Sequence, residues 1–435
     1  MNNIANKSIS TVFIAAVAAI AGILFGYDVG IISGAILFIK QSFTMSPALI
    51  GTIVGAVPFG AFVASLCCGR LNDKYGRKQL LLVTAVLYAL GSIGSAVATD
   101  ATLLAVSRIV LGLAVGLGSF SAPLYIAEIA GKAQRGGLVT LNQLAITIGI
   151  CASYAIDYIF SNHGAWRWML GLGLLPALLL FFMAIRLPNS PRWLLQKGRS
   201  EEAKAILHNM MDAAEAEKEI QDMSELIKHE VTEKTSIFAK KYRKILSLGV
   251  WVSILTQAVG INAIIYYAPT VFMKAGLNQI STAILATMGI GLINVIFTIV
   301  AILFVDKSGR RKLLIGGLCG IMLSLIILTA AFSVGLHNQW LVWLTFGSML
   351  FFVASQAVGT GPACWLIPSE IFPIKVRGTG MGIAVAFNWL TNVIVGFFFP
   401  IVLKHFGAAY CFGIFLIISI CAIVYFYNRL PETKN

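Results

Sequence analysis

Three charged residues stand inside long apolar runs of this chain: Asp28, Arg108 and Asp157. An ionised group at bilayer depth costs about 2.5–3.5 kcal/mol on insertion scales, so it marks a pathway or has a partner. At a rise of 1.5 Å per residue, Asp28 lies about 5 Å past the middle of its run. Arg108 lies early in a run of opposite direction, about 10 Å from the middle toward the same side. Opposite charges at comparable depth predict a pair. A carboxylate placed between a dry environment and a guanidinium is suited to taking up and releasing a proton; a fixed structural ion pair is the plain alternative. Asp157, near the end of its run, reads as an interfacial charge. Other chemistry is hard to find. The seven cysteines lie in apolar runs without metal-ligand spacing, the five histidines do not cluster, and there is no Ser-His-Asp set or GxxxxGK[ST] loop. Neither catalysis nor nucleotide-driven work is expected, and no cofactor or metal is called for.

The elements that must position these charges are membrane helices. Of the 435 residues 58% are hydrophobic and 11% charged, and mean hydropathy is +0.86. A soluble chain carries roughly a quarter charged residues, so this one could not cover its surface in water. Runs of about 20 apolar residues can cross a bilayer, and twelve are read at 10–39, 47–68, 79–98, 102–127, 138–160, 167–187, 246–273, 281–305, 313–335, 340–367, 379–402 and 408–429. Lipid cannot satisfy open backbone groups, which makes the runs helices. The first is too long for a signal-peptide core and is read as an uncleaved helix. The net charge of +14 reflects topology and not nucleic-acid binding. Lysines and arginines gather in loops on one side, which the positive-inside rule places in the cytoplasm with both termini and the 188–245 segment.

Two basic cassettes, Gly69-Arg70-Leu71-Asn72-Asp73-Lys74-Tyr75-Gly76-Arg77-Lys78 and Asp306-Lys307-Ser308-Gly309-Arg310-Arg311-Lys312, each read as a short loop between neighbouring spans. A second pair follows in the same order: Glu128 precedes Arg135-Gly136 as Glu370 precedes Arg377-Gly378. The offsets nearly agree, 306 − 73 = 233 and 370 − 128 = 242. Two homologous halves are expected, an architecture of many secondary transporters with a site at mid-membrane. Between them, 188–245 shows apolar residues at helix spacing (Ala203, Ile206, Leu207, Met210, then Ile220, Met223, Ile227), predicting short amphipathic helices.

These residues closely resemble the sugar porter family of the major facilitator superfamily over nearly the whole chain. The likeness rests on Gly26-Tyr27-Asp28-Val29-Gly30, both cassettes, Ser107-Arg108, Pro123-x-Tyr125-x-x-Glu128-Ile129 to Arg135-Gly136, Asn142-Gln143-Leu144 and Trp166-Arg167-Trp168-Met169. It continues through Gln257-x-Val259-Gly260-Ile261-Asn262, Tyr266-Tyr267-Ala268-Pro269, Gly361-Pro362-x-x-Trp365, Ser369-Glu370-Ile371-Phe372-Pro373 and Pro431-Glu432-Thr433-Lys434. The resemblance implies an all-α integral membrane protein of the major facilitator superfamily fold. Its twelve transmembrane helices would form two six-helix bundles, 1–187 and 246–435, with 188–245 as a cytoplasmic helical linker.

It also implies that amides from both halves hold sugar hydroxyls. Carried over residue by residue, these are Gln143, Gln257, Asn262, Asn294 and Asn388, with Trp365 and Trp389 as aromatic walls and Phe25 and Tyr267 beside them. Amides offer donors and acceptors together. Thr256 stands where many members have a second glutamine, so one sugar contact is expected to be shorter or water-mediated. Ile150 stands where some pentose symporters have glutamine, and Asn189 where the motif has glutamate. Asp28 and Arg108 would couple transport to protons. Asp73, Arg77, Glu128 and Arg135, with Asp306, Arg310, Glu370 and Arg377, resemble the family's cytoplasmic gate network. The expected activity is alternating-access transport of a glucose-, galactose- or xylose-type monosaccharide with protons, by a monomer in the bilayer of a bacterial inner membrane. A proton-independent facilitator is the rival, against which Asp28 speaks. A sugar sensor is the more distant one, since sensors often carry long cytoplasmic tails.

Overall fold

The computed structural model describes the backbone of residues 11–129, 135–232, 237–335, 339–373 and 376–432, and within these the side chains outside 11–12, 135–140, 226–232 and 305–308. The helices of the N-terminal part are α1 (Thr11–Ser42), α2 (Pro47–Tyr75), α3 (Arg77–Ala96), α4 (Ala101–Ile129), α5 (Arg135–Ser161), α6 (Trp166–Gly171) and α7 (Leu174–Ile185). Three short ones follow: α8 (Pro191–Gln196), α9 (Ser200–His208) and α10 (Ala213–Thr232). The C-terminal part holds α11 (Arg243–Ala258), α12 (Ile261–Lys274), α13 (Ile280–Ser308), α14 (Arg310–Val334), α15 (Gln339–Val358), α16 (Thr360–Ile371), α17 (Arg377–His405) and α18 (Ala408–Arg429). Among the described residues twelve helical segments are long and apolar enough to cross a membrane, and the protein is an integral membrane protein. Three of these segments are broken. The sixth is interrupted between α6 and α7, the seventh at Gly260 and the tenth at Gly359.

The cassettes are not loops. α2 runs through Tyr75 and α3 starts at Arg77, so Gly76 alone makes the turn, at φ +88°; Gly309 does the same between α13 and α14 at φ +84°. A helix need not stop where its apolar run stops, because its backbone bonds are satisfied in the polar interface as well. Reversal in one residue needs a positive φ, which glycine adopts without a Cβ penalty.

Helix contacts fix which faces meet. α1 lies along α5 through a stripe of small residues. A Cβ at Gly26 would overlap the Ile146 carbonyl, one at Gly30 the Ser153 hydroxyl and one at Gly34 the Asp157 carboxyl. Such four-residue spacing lets helix backbones approach closely in lipid. α2 packs on α17, α5 on α13 and α1 on α12, which brings the two parts of the chain together. Several of these meetings lie on the side away from α8–α10, here called the far side. A Cβ at Gly51 would overlap the Phe397 carbonyl, and Tyr154 Oη donates to Ile265 O at 3.1 Å.

The amphipathic pattern of 188–245 folds as helices. Ala203 and Leu207 of α9 and Ala216, Ile220 and Met223 of α10 are buried, while the side chain of Ile227 lies outside the described residues. α8 is capped by Ser190, whose Oγ accepts from Trp193 N at 3.3 Å, with Pro191 opening the helix. The Trp193 ring covers Gly76, and its Nε1 donates to Asp73 O at 3.2 Å, which seats the linker on the first cassette.

Candidate functional site

A cavity enclosing about 750 Å³, open water at its mouth included, lies between the two parts of the chain. Several of the membrane helices that line it present polar side chains there. α5 supplies Gln143 and Thr147, four residues apart on one face. The break at Gly260 ends α11 just after Gln257 and starts α12 just before Asn262, so both amides point into the gap. They are joined directly, Asn262 Nδ2 donating to Gln257 Oε1 at 2.6 Å. Gln257 Nε2 in turn donates to Asn388 Oδ1 of α17 at 3.3 Å, and Asn388 Nδ2 to Ser253 O at 3.3 Å. Asn294 of α13 and Trp365 of α16 complete the expected set. Trp389 packs its ring against Phe25 of α1, centroids 5.3 Å apart, and its buried Nε1 has no acceptor.

This lining combines an amide chain with two indoles and a phenylalanine. It offers hydrogen-bond donors and acceptors together with flat apolar surface. A polyhydroxylated ring of modest size meets both requirements.

Two expectations change. Tyr267 is not among the lining residues: it is 1% exposed, donates from Oη to Gly396 O at 2.8 Å, and stacks on Phe399 with centroids 5.0 Å apart. It faces α17 because α12 turns this residue away from the side that carries Asn262. Thr256 does line the cavity, but its hydroxyl proton goes to Val252 O at 2.7 Å, so only acceptor capacity is left. The lining also includes Gln356, Thr360 and Asn392, which motif reading overlooked. Asn392 is four residues from Asn388 on α17, a helical repeat that points at the same face. Gln356 is an amide within an apolar run, three residues before the Gly359 break.

Asp28 and Arg108 meet as expected from their depth. They are 2% and 1% exposed, and each guanidinium Nη lies 3.5 Å from one carboxylate oxygen. Arg108 Nε is held at 2.9 Å by Ile53 O of α2, so this cation ties α1, α2 and α4 together. The pair does not line the cavity, yet Asp28 is followed directly by Val29 and preceded one turn back by Phe25, both of which do. Asp157 lies near the end of α5 as its run implies, but it is 0% exposed and so is not the solvated charge expected. Position in an apolar run gives depth but not the neighbour that covers the side chain, which here is the bare backbone of Gly34.

On the linker side, Arg77 Nη2 donates to Glu128 Oε1 at 2.6 Å and Ser190 Oγ to Glu128 Oε2 at 2.5 Å, with Asp73 Oδ1 3.8 Å from Arg77 Nη1. In the second half Arg310 Nε pairs with Glu370 Oε1 at 3.0 Å, and Glu432 Oε1 accepts the backbone N–H of Arg310 at 3.0 Å. Arg377 Nε donates to Phe372 O at 3.1 Å. The side chains of Arg135 and Asp306 lie outside the described residues. The Arg77 and Arg310 pairs each tie elements of one half, and Ser190 joins the linker to Glu128.

Known proteins are similar to this chain in sequence and in fold. The galactose-proton symporter of Escherichia coli strain K12 is 37% identical over 433 residues, spanning 99% of this chain and 93% of its own. The glucose transporter GlcP of Staphylococcus epidermidis is 37% identical, spanning 96% of this chain and 93% of its own. The xylose transporter XylE of E. coli, solved in a partially occluded inward-open conformation, superposes with a TM-score of 0.85 at 32% identity and covers 97% of this chain and 98% of its own. The model of the sugar (and other) transporter family matches residues 14–435. With a family model matched over nearly its whole length and relatives of 37% identity spanning almost all of it, the chain belongs to the sugar (and other) transporter family.

Proposed function

We propose that this protein carries a monosaccharide, a hexose or a pentose, across the membrane by alternating access in symport with protons. The observation that carries the reading is the cavity between the two parts of the chain, walled by Gln143, Gln257, Asn262, Asn294 and Asn388 and by Trp365 and Trp389, with Phe25 at its edge. In this reading the amides hold ring hydroxyls, the indoles cover the C–H face, and Thr256 accepts one hydroxyl. α1 transmits the coupling, because it carries both cavity residues and Asp28. Neutralising Asp28 weakens its hold on Arg108 and frees α1 to move with the sugar.

The same reading divides the chain into an N-terminal bundle (1–187), a cytoplasmic linker (188–245) and a C-terminal bundle (246–435). It places the linker and both termini in the cytoplasm of a bacterial inner membrane, with the monomer as the working unit. Asp73, Arg77, Glu128 and Arg135, with Asp306, Arg310, Glu370 and Arg377, brace the cytoplasmic ends and bias which side is open. The relatives named as glucose, galactose-proton and xylose carriers support the substrate class.

The test is uptake into transporter-free vesicles with a panel of labelled monosaccharides and an imposed pH gradient. At least one sugar is expected to accumulate in wild type. Asp28→Asn, which fixes the neutral form, should abolish accumulation while keeping sugar binding and exchange. Accumulation by Asp28→Asn would place coupling elsewhere. Uptake that ignores the gradient in wild type would make the protein a facilitator.

A further inference from the structure

We propose that Asp157 is a proton-binding site on the α1–α5 seam, filled while the far side is closed and distinct from the Asp28–Arg108 pair. Its carboxyl is wholly buried. One oxygen, Oδ2, accepts the Gly34 N–H at 3.0 Å; the other, Oδ1, is buried without a well-formed hydrogen bond among the described residues. Ser33 Oγ lies beside the carboxyl, short of a well-formed hydrogen bond, and has no other partner. The seam is shaped for the acid, since any side chain at position 34 would occupy the place of its carboxyl carbon.

Among the described residues no Lys, Arg or His pairs with Asp157. The titratable groups that feel its charge are Tyr27 of α1 and Tyr154 of α5. Both phenols donate elsewhere, Tyr27 to Met169 O at 2.6 Å and Tyr154 to Ile265 O at 3.1 Å. Asp28 has two guanidinium nitrogens facing its oxygens; Asp157 has one backbone N–H and the neighbouring Ser33 hydroxyl, both neutral. An anion in a dry seam with no cation, held only by one backbone N–H and a poorly placed hydroxyl, is disfavoured. A proton on Oδ1 removes the charge, leaves Oδ2 to accept from Gly34, and gives Oδ1 the Ser33 hydroxyl as an acceptor.

Position links this proton to movement. Asp157 is one turn beyond Tyr154, whose phenol bridges α5 to α12 on the far side. It lies about 6 Å along the axis from the end of α5, four residues at 1.5 Å each. When α5 and α12 part, that bridge breaks and water reaches the seam, so the proton gains an exit to the far side.

Infrared spectroscopy of the whole protein in lipid, without sugar, tests this through the C=O stretch of a protonated carboxylic acid, identified by its shift in D2O. A band is expected at neutral pH in wild type and in Asp28→Asn, and should be missing in Asp157→Asn. An undiminished band in Asp157→Asn overturns the site. If that variant does not fold, Gly34→Ala substitutes: its methyl displaces the carboxyl, so the band must move or vanish, and an unmoved band is equally fatal. Distances between labels on the far-side ends of α5 and α12 test the link. In Asp28→Asn they should lengthen as rising pH removes the band, and in Asp157→Asn stay constant. The same pH response in both variants overturns the coupling to closure. No sugar enters either measurement, so the outcome is independent of the transport reading.

Discussion

At the residue scale the cavity amides are not equivalent. Asn262 spends its Nδ2 on Gln257 at 2.6 Å, whereas Gln143 makes no hydrogen bond among the described residues and has its whole amide available. Removing either should leave a sugar hydroxyl unpaired, at a cost of about 1–3 kcal/mol, or roughly ten- to a hundredfold in affinity. Asn262→Ala also releases Gln257 from its orientation. In calorimetric titrations with the transported sugar, Asn262→Ala and Gln257→Ala should therefore be strongly non-additive, while Gln143→Ala and Asn262→Ala, on opposite walls, should add. Equal, additive losses for all pairs would mean that the amide chain is not a unit. Whereas Asn294 and Asn388 followed only from the family resemblance, Gln143, Gln257 and Asn262 were legible because they sit in recognisable motifs. Gln356 was not, because one amide in an apolar helix reads equally well as a helix–helix hydrogen bond. Tyr267 misled for the opposite reason: its motif is recognisable, but which way an aromatic faces depends on helix rotation that no local pattern encodes.

At the element scale, the twelve spans could be located from apolar runs because lipid imposes length and composition on each helix. Their ends could not, since charged residues at an interface are compatible with helix; within the cassettes it is Gly76 and Gly309 that mark where the chain turns. The α1–α5 seam was equally hidden. Gly22, Gly26, Gly30 and Gly34 are spaced by four, but the sequence is full of glycines and the partner helix is not encoded beside them. Gly26→Val would drive a branched side chain into the Ile146 backbone. Overpacking costs about 1–3 kcal/mol, so its midpoint in a thermal-stability assay in detergent should fall clearly below wild type. Gly69→Val, where nothing lies within 4 Å, should hardly move it. A smaller effect marks the start of α4. Asp100 Oδ1 accepts the backbone N–H of Thr102 and Leu103, both at 2.9 Å, and the bond from Leu103 foremost holds its carboxyl below the usual carboxylate range. A depressed value means this cap is present at neutral pH and is lost as pH falls through it. Asp100→Ala should therefore be slightly less heat-stable than wild type at pH 7, with the gap closing in acid.

At the scale of the whole molecule, the repeated cassettes imply two related halves, but nothing in one half says how it meets the other. That meeting is a surface between distant segments. On the far side it is made where α2 and α17 touch, backbone against backbone, at Gly51 and Phe397, and where α5 reaches α12 through Tyr154. Alternating access requires this contact to form and to separate in every cycle, so filling it acts on the equilibrium and not on the site. Gly51 is remote from the cavity lining and lies near the start of α2, where a larger side chain is tolerated while the halves are apart. Gly51→Trp cannot be accommodated once they close, because its Cβ alone would overlap the Phe397 carbonyl. A penalty of about 3 kcal/mol on the far-side-closed state corresponds to a shift of roughly a hundredfold toward the far-side-open state. Distances between labels on the far-side ends of α2 and α17 should lengthen to a single open population. Net uptake should cease while sugar binding from the far side persists. Wild-type distances together with lost uptake would show instead that the indole damages the fold, and wild-type uptake would show that these helices do not need to close on each other at all.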